Sequence, residues 1–152
     1  MIATGSGHTL SSLLFEDHRR YHGQTLSGTC SQPCPFGNRI TDAVVEYYRS
    51  GTWSSSITLQ SLGTPFQQQV WQALAAVPAG KTCSYQEIAE TIGRPTAARA
   101  VAGACRRNAY TLIVPCHRIV GSDGQLTGYA GGLWRKEWLI KFERESARSR
   151  SL

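Results

Sequence analysis

The chain has 152 residues, of which 41% are hydrophobic, so it can bury one good core with at most a small second lobe. Lysine and arginine number 16 against 10 acidic residues, and the net charge of +6 favours a polyanionic partner such as nucleic acid. The five cysteines lack a framework spacing, which argues against a disulfide-stapled secreted fold, and no apolar run approaches the roughly 20 residues of a membrane span. We therefore expect a cytoplasmic monomer with no membrane partner.

The first third of the chain carries weak signals for regular structure. Residues 10–15 predict a short strand, and residues 23–37 predict an irregular connection. Asn38 is the predicted N-cap of a helix that ends at Gly51. The predicted apolar face of this helix consists of Ile40, Val44, Val45 and Tyr48.

Two capping boxes mark helix starts in the second part of the chain. Residues 64–67, Thr-Pro-Phe-Gln, combine an N-cap threonine, a proline at the first helical position and a capping-box glutamine. Residues 84–87, Ser-Tyr-Gln-Glu, form a second box that opens a helix through Ile92. The first of these helices has a predicted apolar face of Phe66, Val70, Leu74 and Val77.

A helix-turn-helix follows from the next breaker residues. Gly93 ends the second helix and Pro95 begins another, whose residues 96–107 are almost all small side chains and arginines. Tight packing against a neighbouring helix is one interpretation of such a slim surface. Because the minor groove of DNA is only about 6 Å wide, a slim and basic helix also predicts minor-groove binding with an inserted arginine.

The tetrapeptide Pro115-Cys116-His117-Arg118 is the clearest chemical motif of the chain. A cysteine at the end of a buried strand-like run, here residues 112–114, beside an imidazole and an arginine, is expected to be a thiolate, the nucleophilic form. In an extended segment the neighbouring Cys116 and His117 side chains would point to opposite sides. A water bridge between thiol and imidazole is therefore expected rather than a direct hydrogen bond.

Together these motifs resemble the O(6)-alkylguanine-DNA alkyltransferases, which are methylated-DNA-protein-cysteine methyltransferases. The resemblance covers residues 64–143 and rests on the Pro-Cys-His-Arg motif, Asn108, the Ala-Arg-Ala-Val helix, the Ser84 helix start and the Gly-Tyr-Ala-Gly-Gly loop at residues 128–132. It implies an α/β fold with a small N-terminal lobe, whose strands are partly missing or divergent. It also implies a mainly helical C-terminal domain with a winged helix-turn-helix-like DNA-binding motif.

The function implied by the resemblance is DNA repair by direct damage reversal. Family members bind double-stranded DNA, flip the damaged base from the minor groove and transfer its alkyl group irreversibly to their own cysteine, one group per molecule. The substrate is O(6)-alkylguanine and, less efficiently, O(4)-alkylthymine. No cofactor is required, because the damaged DNA is the alkyl donor.

The resemblance also implies roles for residues at the matching positions. Cys116 would accept the alkyl group, and His117 would act on its thiol as a base through a water molecule. Glu143 would orient the imidazole, Tyr85 would protonate the leaving guanine, and Asn108 would position the nucleophile at the hinge before it.

Two further groups of residues are implied by the resemblance. Arg99 would take the place of the flipped base in the duplex. The rest of the DNA-binding surface would consist of Tyr85, Ala98, Ala100, Ala102, Gly103 and Arg106. The substrate pocket would be lined by Pro115, Ile119, Tyr129, Ala130, Gly131 and Cys105.

The resulting division of the chain has four parts. We expect a divergent N-terminal lobe over residues 1–53, a linker over 54–63, the alkyltransferase domain over 64–143 and a frayed basic tail over 144–152. Cys30 and Cys34, with His18 and His22 nearby, are the only candidate metal ligands. Some members of the family carry a structural zinc in the N-terminal part, but the spacing here is not a strong zinc signature, so these are expected to be loop residues and no metal is expected.

Two other functions are open at this point. Alkyltransferase-like proteins share the fold and bind DNA lesions without transfer, but they replace the acceptor cysteine, which is present here as Cys116. A cysteine hydrolase would need an oxyanion hole and a histidine brought close by the fold. Of the four histidines, only His117 lies in the half with clear helix signals.

Overall fold

The structure is a computed structural model that describes residues 1–17 and 34–151. None of the helices among these residues combines the length and the hydropathy that a transmembrane span requires. A short 3-10 turn covers Cys116–Arg118. In chain order the other elements are β1 (Ile2–Ser6), β2 (Thr9–Leu14), α1 (Pro35–Ser50), β3 (Thr58–Leu59), α2 (Pro65–Ala75), β4 (Cys83–Ser84), α3 (Tyr85–Thr91), α4 (Ala98–Arg106), β5 (Ile119–Val120) and α5 (Leu133–Ser149).

The N-terminal sheet is more complete than the sequence indicates. β1 and β2 form an antiparallel hairpin that turns at Gly7, whose φ of 60° favours glycine, and β3 pairs with β2 in parallel. The strand predicted at residues 10–15 is confirmed by β2. β1 is not predicted, because its sequence offers a single large apolar residue, Ile2. Residues 54–63, predicted as a linker, contain β3.

Helix α1 begins earlier than predicted and ends where predicted. Its N-cap is Cys34, whose Sγ accepts a hydrogen bond from the Gly37 backbone N–H at 3.3 Å, so the prediction of Asn38 as the cap is wrong. Asn38 lies within the first turn, after Pro35 at the first helical position. Gly51 ends the helix in the left-handed conformation, with φ of 72°.

The buried face of α1 is shifted by one position from the predicted face. Ile40 is buried as predicted, but its buried companions are Ala43 and Tyr47, while Val45 and Tyr48 are exposed. The shift occurs because the polar tip of Tyr47 has a hydrogen-bond partner inside the protein, which a hydrophobicity pattern does not reveal.

The capping boxes of α2 and α3 are both confirmed. The side chains of Thr64 and Gln67 exchange hydrogen bonds with each other's backbone N–H groups at the start of α2. Ser84 and Glu87 do the same at α3. α2 packs Val70, Trp71 and Leu74 into the core, and the indole of Trp71 donates to the Ala104 carbonyl at 3.1 Å.

Helices α3 and α4 form the predicted helix-turn-helix. Gly93, with φ of 69°, lies in the turn, but α4 begins at Ala98 rather than at Pro95 and has no side-chain cap. Val101 and Ala104 face the core, whereas a Cβ built on Gly103 meets no atom within 4 Å. The outer side of α4 is therefore a slim, open surface.

Helix α5 closes the structure over both parts of the chain. Its inward side buries Lys136, Leu139, Ile140 and Glu143. It continues to Ser149, so most of the tail predicted to fray from Arg144 onward is helical. On the other side of the site, β4 and β5 pair in parallel, with Cys83 opposite Ile119, and this pairing aligns the start of α3 with the end of the 3-10 turn.

Candidate active site

Cys116 lies in a turn, not at the end of a strand. Residues 111–113 are in a turn, and the side chain of Leu112 is buried. The φ angle of Leu112 is 71°, in the left-handed region that non-glycine residues rarely adopt. Cys116 then opens the 3-10 turn. The strand predicted from the apolar run is wrong, since these residues are apolar because they are buried and not because they are extended.

Asn108 ties this turn together. Its Nδ2 donates to the Val114 carbonyl at 2.8 Å and to Cys116 Sγ at 3.1 Å, and its Oδ1 accepts from the Tyr110 backbone N–H at 2.8 Å. A buried amide with all these partners fixes the turn because each lost hydrogen bond would leave a polar group unsatisfied. The position of the Cys116 sulfur is thus set by a side chain from the end of α4.

The resting form of Cys116 is the thiol. Burial raises the pKa of the Cys116 thiol above that of an ordinary cysteine. The hydrogen bond from Asn108 and the positive charge of Lys136 oppose this effect only in part. The expectation of a preformed thiolate is therefore wrong. A base is required before the sulfur can attack.

Glu143 and His117 form a fully buried pair in which Nε2 of the imidazole lies 2.8 Å from Oε1 of the carboxylate. Glu143 also accepts from Arg118 Nε and Nη2, both at 2.9 Å, from the Tyr47 hydroxyl at 2.6 Å and from the Gly80 N–H at 3.0 Å. Burial would raise the pKa of Glu143, but the hydrogen bonds from His117 and Arg118 outweigh it and hold this pKa below the usual range. Glu143 is thus a carboxylate.

The ionised Glu143 determines the tautomer of His117. An acceptor at Nε2 requires the proton on that nitrogen, which leaves Nδ1 with a free lone pair. Within the described residues Nδ1 makes no hydrogen bond to the protein. Burial, together with the positive charges of Arg118 and Lys136, lowers the pKa of His117 against the opposing effect of Glu143, so the imidazole is neutral at rest. His117 therefore presents a basic nitrogen beside Cys116 in the turn.

Sequence reasoning missed a buried lysine in the site. Lys136 is completely buried, and its Nζ donates to the Thr127 carbonyl at 2.6 Å. Its charge lowers the pKa of both Cys116 and Cys105, while burial lowers its own pKa. Its place on the buried side of α5, one heptad before Glu143, is the only sequence signal that could have found it.

The loop at residues 128–132 covers this group. The ring of Tyr129 lies edge-on to His117, with centroids 6.5 Å apart, and its buried hydroxyl has no hydrogen-bond partner within the described residues. Gly131 is required at its position, because an added Cβ would lie 2.6 Å from the Phe15 ring. Thr127, just before the loop, donates to the Tyr85 hydroxyl at 3.4 Å.

Arg135 connects the same loop to the segment that directly follows β2. Its Nη1 donates to the Gly131 carbonyl and to Asp17 Oδ2, both at 2.8 Å. Its guanidinium also lies over the rings of Phe15 and Trp134, at 4.7 and 4.3 Å from their centroids.

The remaining predicted residues differ in their exposure. On α4, Arg99, Ala100 and Arg106 are exposed, and Ala98, Ala102 and Gly103 are half-buried. Pro115 and Ile119 flank the 3-10 turn and are buried, and Ala130 lies half-buried in the loop. Burial raises the pKa of Cys105, which favours its protonated and less nucleophilic form.

The metal candidates fall largely outside the described part of the chain. Cys30, His18 and His22 lie there, and Cys34 serves as the cap of α1. In residues 1–17 and 34–151 no group of three histidine, cysteine or acidic side chains could hold a metal ion.

Known proteins resemble this chain in both sequence and fold. Residues 65–145 match the family model of the 6-O-methylguanine DNA methyltransferase DNA-binding domain. A methylated-DNA-protein-cysteine methyltransferase of Mycobacterium leprae is 42% identical over 147 residues, which cover 95% of this chain and 86% of that protein. The crystal structure of Mycobacterium tuberculosis OGT in complex with DNA superimposes with a TM-score of 0.78 at 40% identity, over 95% of this chain and 86% of that one.

A second relative is similar to a shorter part of this chain. The methylated-DNA-protein-cysteine methyltransferase of Salmonella typhimurium is 47% identical over 106 residues, or 68% of this chain. The chain spans 61% of the length of that relative.

Proposed function

The chain belongs to the 6-O-methylguanine DNA methyltransferase family, and from that premise we propose that it repairs O(6)-alkylguanine in double-stranded DNA by moving the alkyl group onto Cys116. Each molecule acts once, because the thioether that forms is stable. O(4)-alkylthymine is a poorer substrate of the same kind. The protein acts as a cytoplasmic monomer and needs no cofactor.

The observation that carries the proposal is the state of His117. Its Nε2 lies 2.8 Å from the ionised Glu143, and its Nδ1 has no hydrogen-bond partner among residues 1–17 and 34–151. The preceding residue along the chain is Cys116, a thiol whose pKa is raised. A neutral base, its orienting carboxylate and a nucleophile that must be deprotonated are the three parts that covalent catalysis requires.

The transfer then proceeds in balanced steps. The Cys116 proton passes through a bridging water to Nδ1 of His117, and the imidazolium that forms is stabilised by Glu143. The sulfur attacks the alkyl carbon, a new C–S bond forms and the C–O bond to guanine breaks. The electron pair stays on the guanine, which takes a proton from the hydroxyl of Tyr85. Asn108 aligns the sulfur, and Lys136 stabilises it while it is negative.

Helix α4 supports delivery of the damaged base. Its open, slim side carries Arg99, and a base inside a duplex stack is accessible to Cys116 only after extrusion, at a cost of a few kcal/mol. Arg99 occupies the space left by the flipped nucleotide, with Tyr85 beside the backbone. The pocket wall and the loop at residues 128–132 then enclose the guanine.

Mass spectrometry tests the proposal directly. Incubation with duplex DNA containing O(6)-methylguanine is expected to add one methyl group to the Cys116 peptide, and Cys116→Ala is expected to gain none. Binding of the lesion without any added methyl would instead indicate a lesion-binding protein. Equal methylation in Cys116→Ala would overturn the choice of acceptor.

A second experiment separates base flipping from chemistry. Arg99→Ala is expected to slow repair of duplex DNA far more than reaction with free benzylguanine, which needs no extrusion. Lys141→Ala is the matched control, because it removes the same charge from an exposed position on α5. Equal slowing of both reactions in Arg99→Ala would refute the role of this arginine in flipping.

A further inference from the structure

We propose that Tyr47, on helix α1 of the N-terminal region, is a positioning residue of the Cys116 relay: its hydroxyl holds the Glu143 carboxylate and thereby limits how readily His117 retains a proton. The inference rests on the proposed function, in which His117 must be neutral to act. It makes the N-terminal region a working part of the site, although none of the predicted site residues lies there.

The contact is short and completely buried. Tyr47 has no exposed surface, and its hydroxyl lies 2.6 Å from Glu143 Oε1, a distance typical of a hydrogen bond from a neutral O–H to a charged oxygen. The same oxygen accepts from His117 Nε2 at 2.8 Å and from Arg118 Nη2 at 2.9 Å. Three donors therefore share the negative charge of one oxygen atom.

Tyr47 can act only as a donor in this contact. Burial and the neighbouring Glu143 carboxylate raise the pKa of its phenol, so the hydroxyl keeps its proton across the physiological range. Its ring packs against Tyr48 and Phe142, with centroids 5.5 and 6.1 Å away, which holds the hydroxyl in place. Glu143 thus meets a permanent donor from a different part of the chain.

The charges around His117 make the donor consequential. Lys136 from α5 and Arg118 from the 3-10 turn both disfavour a protonated imidazole, whereas Glu143 favours it. Tyr129 faces the ring from the loop and Cys116 adjoins it in the turn, and both are neutral at rest. Glu143 is the anion bonded to the ring, so a hydroxyl that withdraws charge from Oε1 weakens its hold on an imidazolium.

The sign of the effect follows from this balance. Without the Tyr47 hydroxyl, Glu143 concentrates more charge on His117, which stabilises the imidazolium and raises the pKa of His117. The neutral base is then lost at a higher pH. The acid limb of the transfer reaction should move upward with it.

Tyr47→Phe tests the proposal because it removes one oxygen and keeps the ring. We expect the pKa of His117, followed by ¹⁵N NMR of labelled histidine, to rise by about half to one pH unit. The acid limb of methyl transfer to Cys116 should shift by the same amount. Tyr48→Phe is the control, because the hydroxyl of Tyr48 makes no hydrogen bond within the described residues. This variant should change neither the pKa of His117 nor the acid limb of methyl transfer.

A ring-fluorinated tyrosine at position 47 gives the opposite perturbation. It keeps the hydroxyl and makes it a stronger donor, so the pKa of His117 and the acid limb should both fall. This variant decides the question if Tyr47→Phe fails to fold. An unchanged pKa of His117 in the folded variants would overturn the proposal, because a purely structural tyrosine would alter stability alone.

The two proposals fail in distinguishable ways. If the wild-type protein adds no methyl to Cys116, the proposed function fails, while the NMR titration still measures the coupling between Tyr47 and His117. If the wild type transfers methyl and both variants titrate as the wild type does, only the role of Tyr47 is refuted.

Discussion

The regions before and after Gly63 are stabilised by interactions of different range along the chain. In the first region, β2 pairs with β3, from which it is separated along the chain by α1, and Leu13 forms a bridge with Tyr110 of the second region. In the second, the helices begin at capping boxes such as Ser84 with Glu87, which are read from four consecutive residues. Local signals therefore specify much of the region that contains Cys116, and non-local pairings specify the N-terminal region.

Glu143 is a buried charged contact between the two regions. Its carboxylate accepts from Tyr47 in the first region and from Gly80, His117 and Arg118 in the second. Any change that weakens this carboxylate should therefore affect both regions at once.

The largest effect is expected from Glu143→Gln, which breaks the junction itself. The amide is neutral and leaves Arg118 buried without its charge partner, so the free energy of unfolding should fall by about 3–5 kcal/mol. Methyl transfer at neutral pH should be lost. Urea denaturation and the transfer assay measure both effects. The exposed Glu145→Gln is the control, and an equal loss in the two variants would contradict a junction at Glu143.

Asn108→Ala should give a smaller loss than Glu143→Gln. Removal of its buried hydrogen bonds should lower the free energy of unfolding by about 2 kcal/mol and raise the pKa of the Cys116 thiol further. The pH dependence of Cys116 alkylation by iodoacetamide reports that pKa. The exposed Asn38→Ala on α1 should leave it unchanged, and an unchanged pKa in Asn108→Ala would show that the contact with sulfur has no effect.

Acidification should destabilise the junction through His117 before it does so through Glu143. The pKa of His117 is lowered in the folded state, so stability is lost as pH falls through the unfolded value of about 6.5, by up to about 2 kcal/mol at pH 5. The pKa of Glu143 is also lowered, and its contribution is lost only below the unfolded value of about 4.3. Urea titrations at pH 7 and pH 5 check this. The difference in the free energy of unfolding between the two pH values should be smaller in His117→Gln. An equal difference in this variant would refute the assignment of the effect to His117.

The smallest effect is expected at the outer contact between the regions. Asp17 is mostly exposed and pairs with Arg135 at 2.8 Å, and an exposed ion pair of this kind contributes about 0.5 kcal/mol or less. Asp17→Asn should therefore leave the melting temperature and methyl transfer nearly unchanged. A loss of stability as large as that of Asn108→Ala would mean that the exposed pair of Asp17 and Arg135, and not Glu143, is the main charged contact between the two regions.

The sequence predicts the local features of the second region well. The starts of α2 and α3, the turn at Gly93 and the helix-turn-helix are confirmed, because each depends on residues a few positions apart. The proximity of Asn108 to Cys116 is also observed. The turn at residues 111–113 is not predictable from its apolar side chains, because it depends on Asn108 binding the Val114 carbonyl.

The long-range parts of the site escape prediction for a single physical reason. Tyr47 and Glu143 are 96 residues apart, and no pattern within either helix reveals that they touch. Lys136 reads as a surface lysine until α5 is placed against the loop. The raised pKa of the Cys116 thiol likewise depends on the atoms that surround it in the fold, which a neighbouring histidine and arginine in the sequence do not indicate.

The wide separation of the residues around Glu143 has a consequence for biosynthesis. During translation Cys116 and His117 leave the ribosome before Glu143, which lies 26 residues beyond His117. Contacts between distant residues form late in folding, since the chain must first close long loops. The imidazole therefore has no carboxylate to orient it until residue 143 has been made and has folded against it. If the proposed relay operates, the newly made cysteine gains its full reactivity only after α5 has docked on α1.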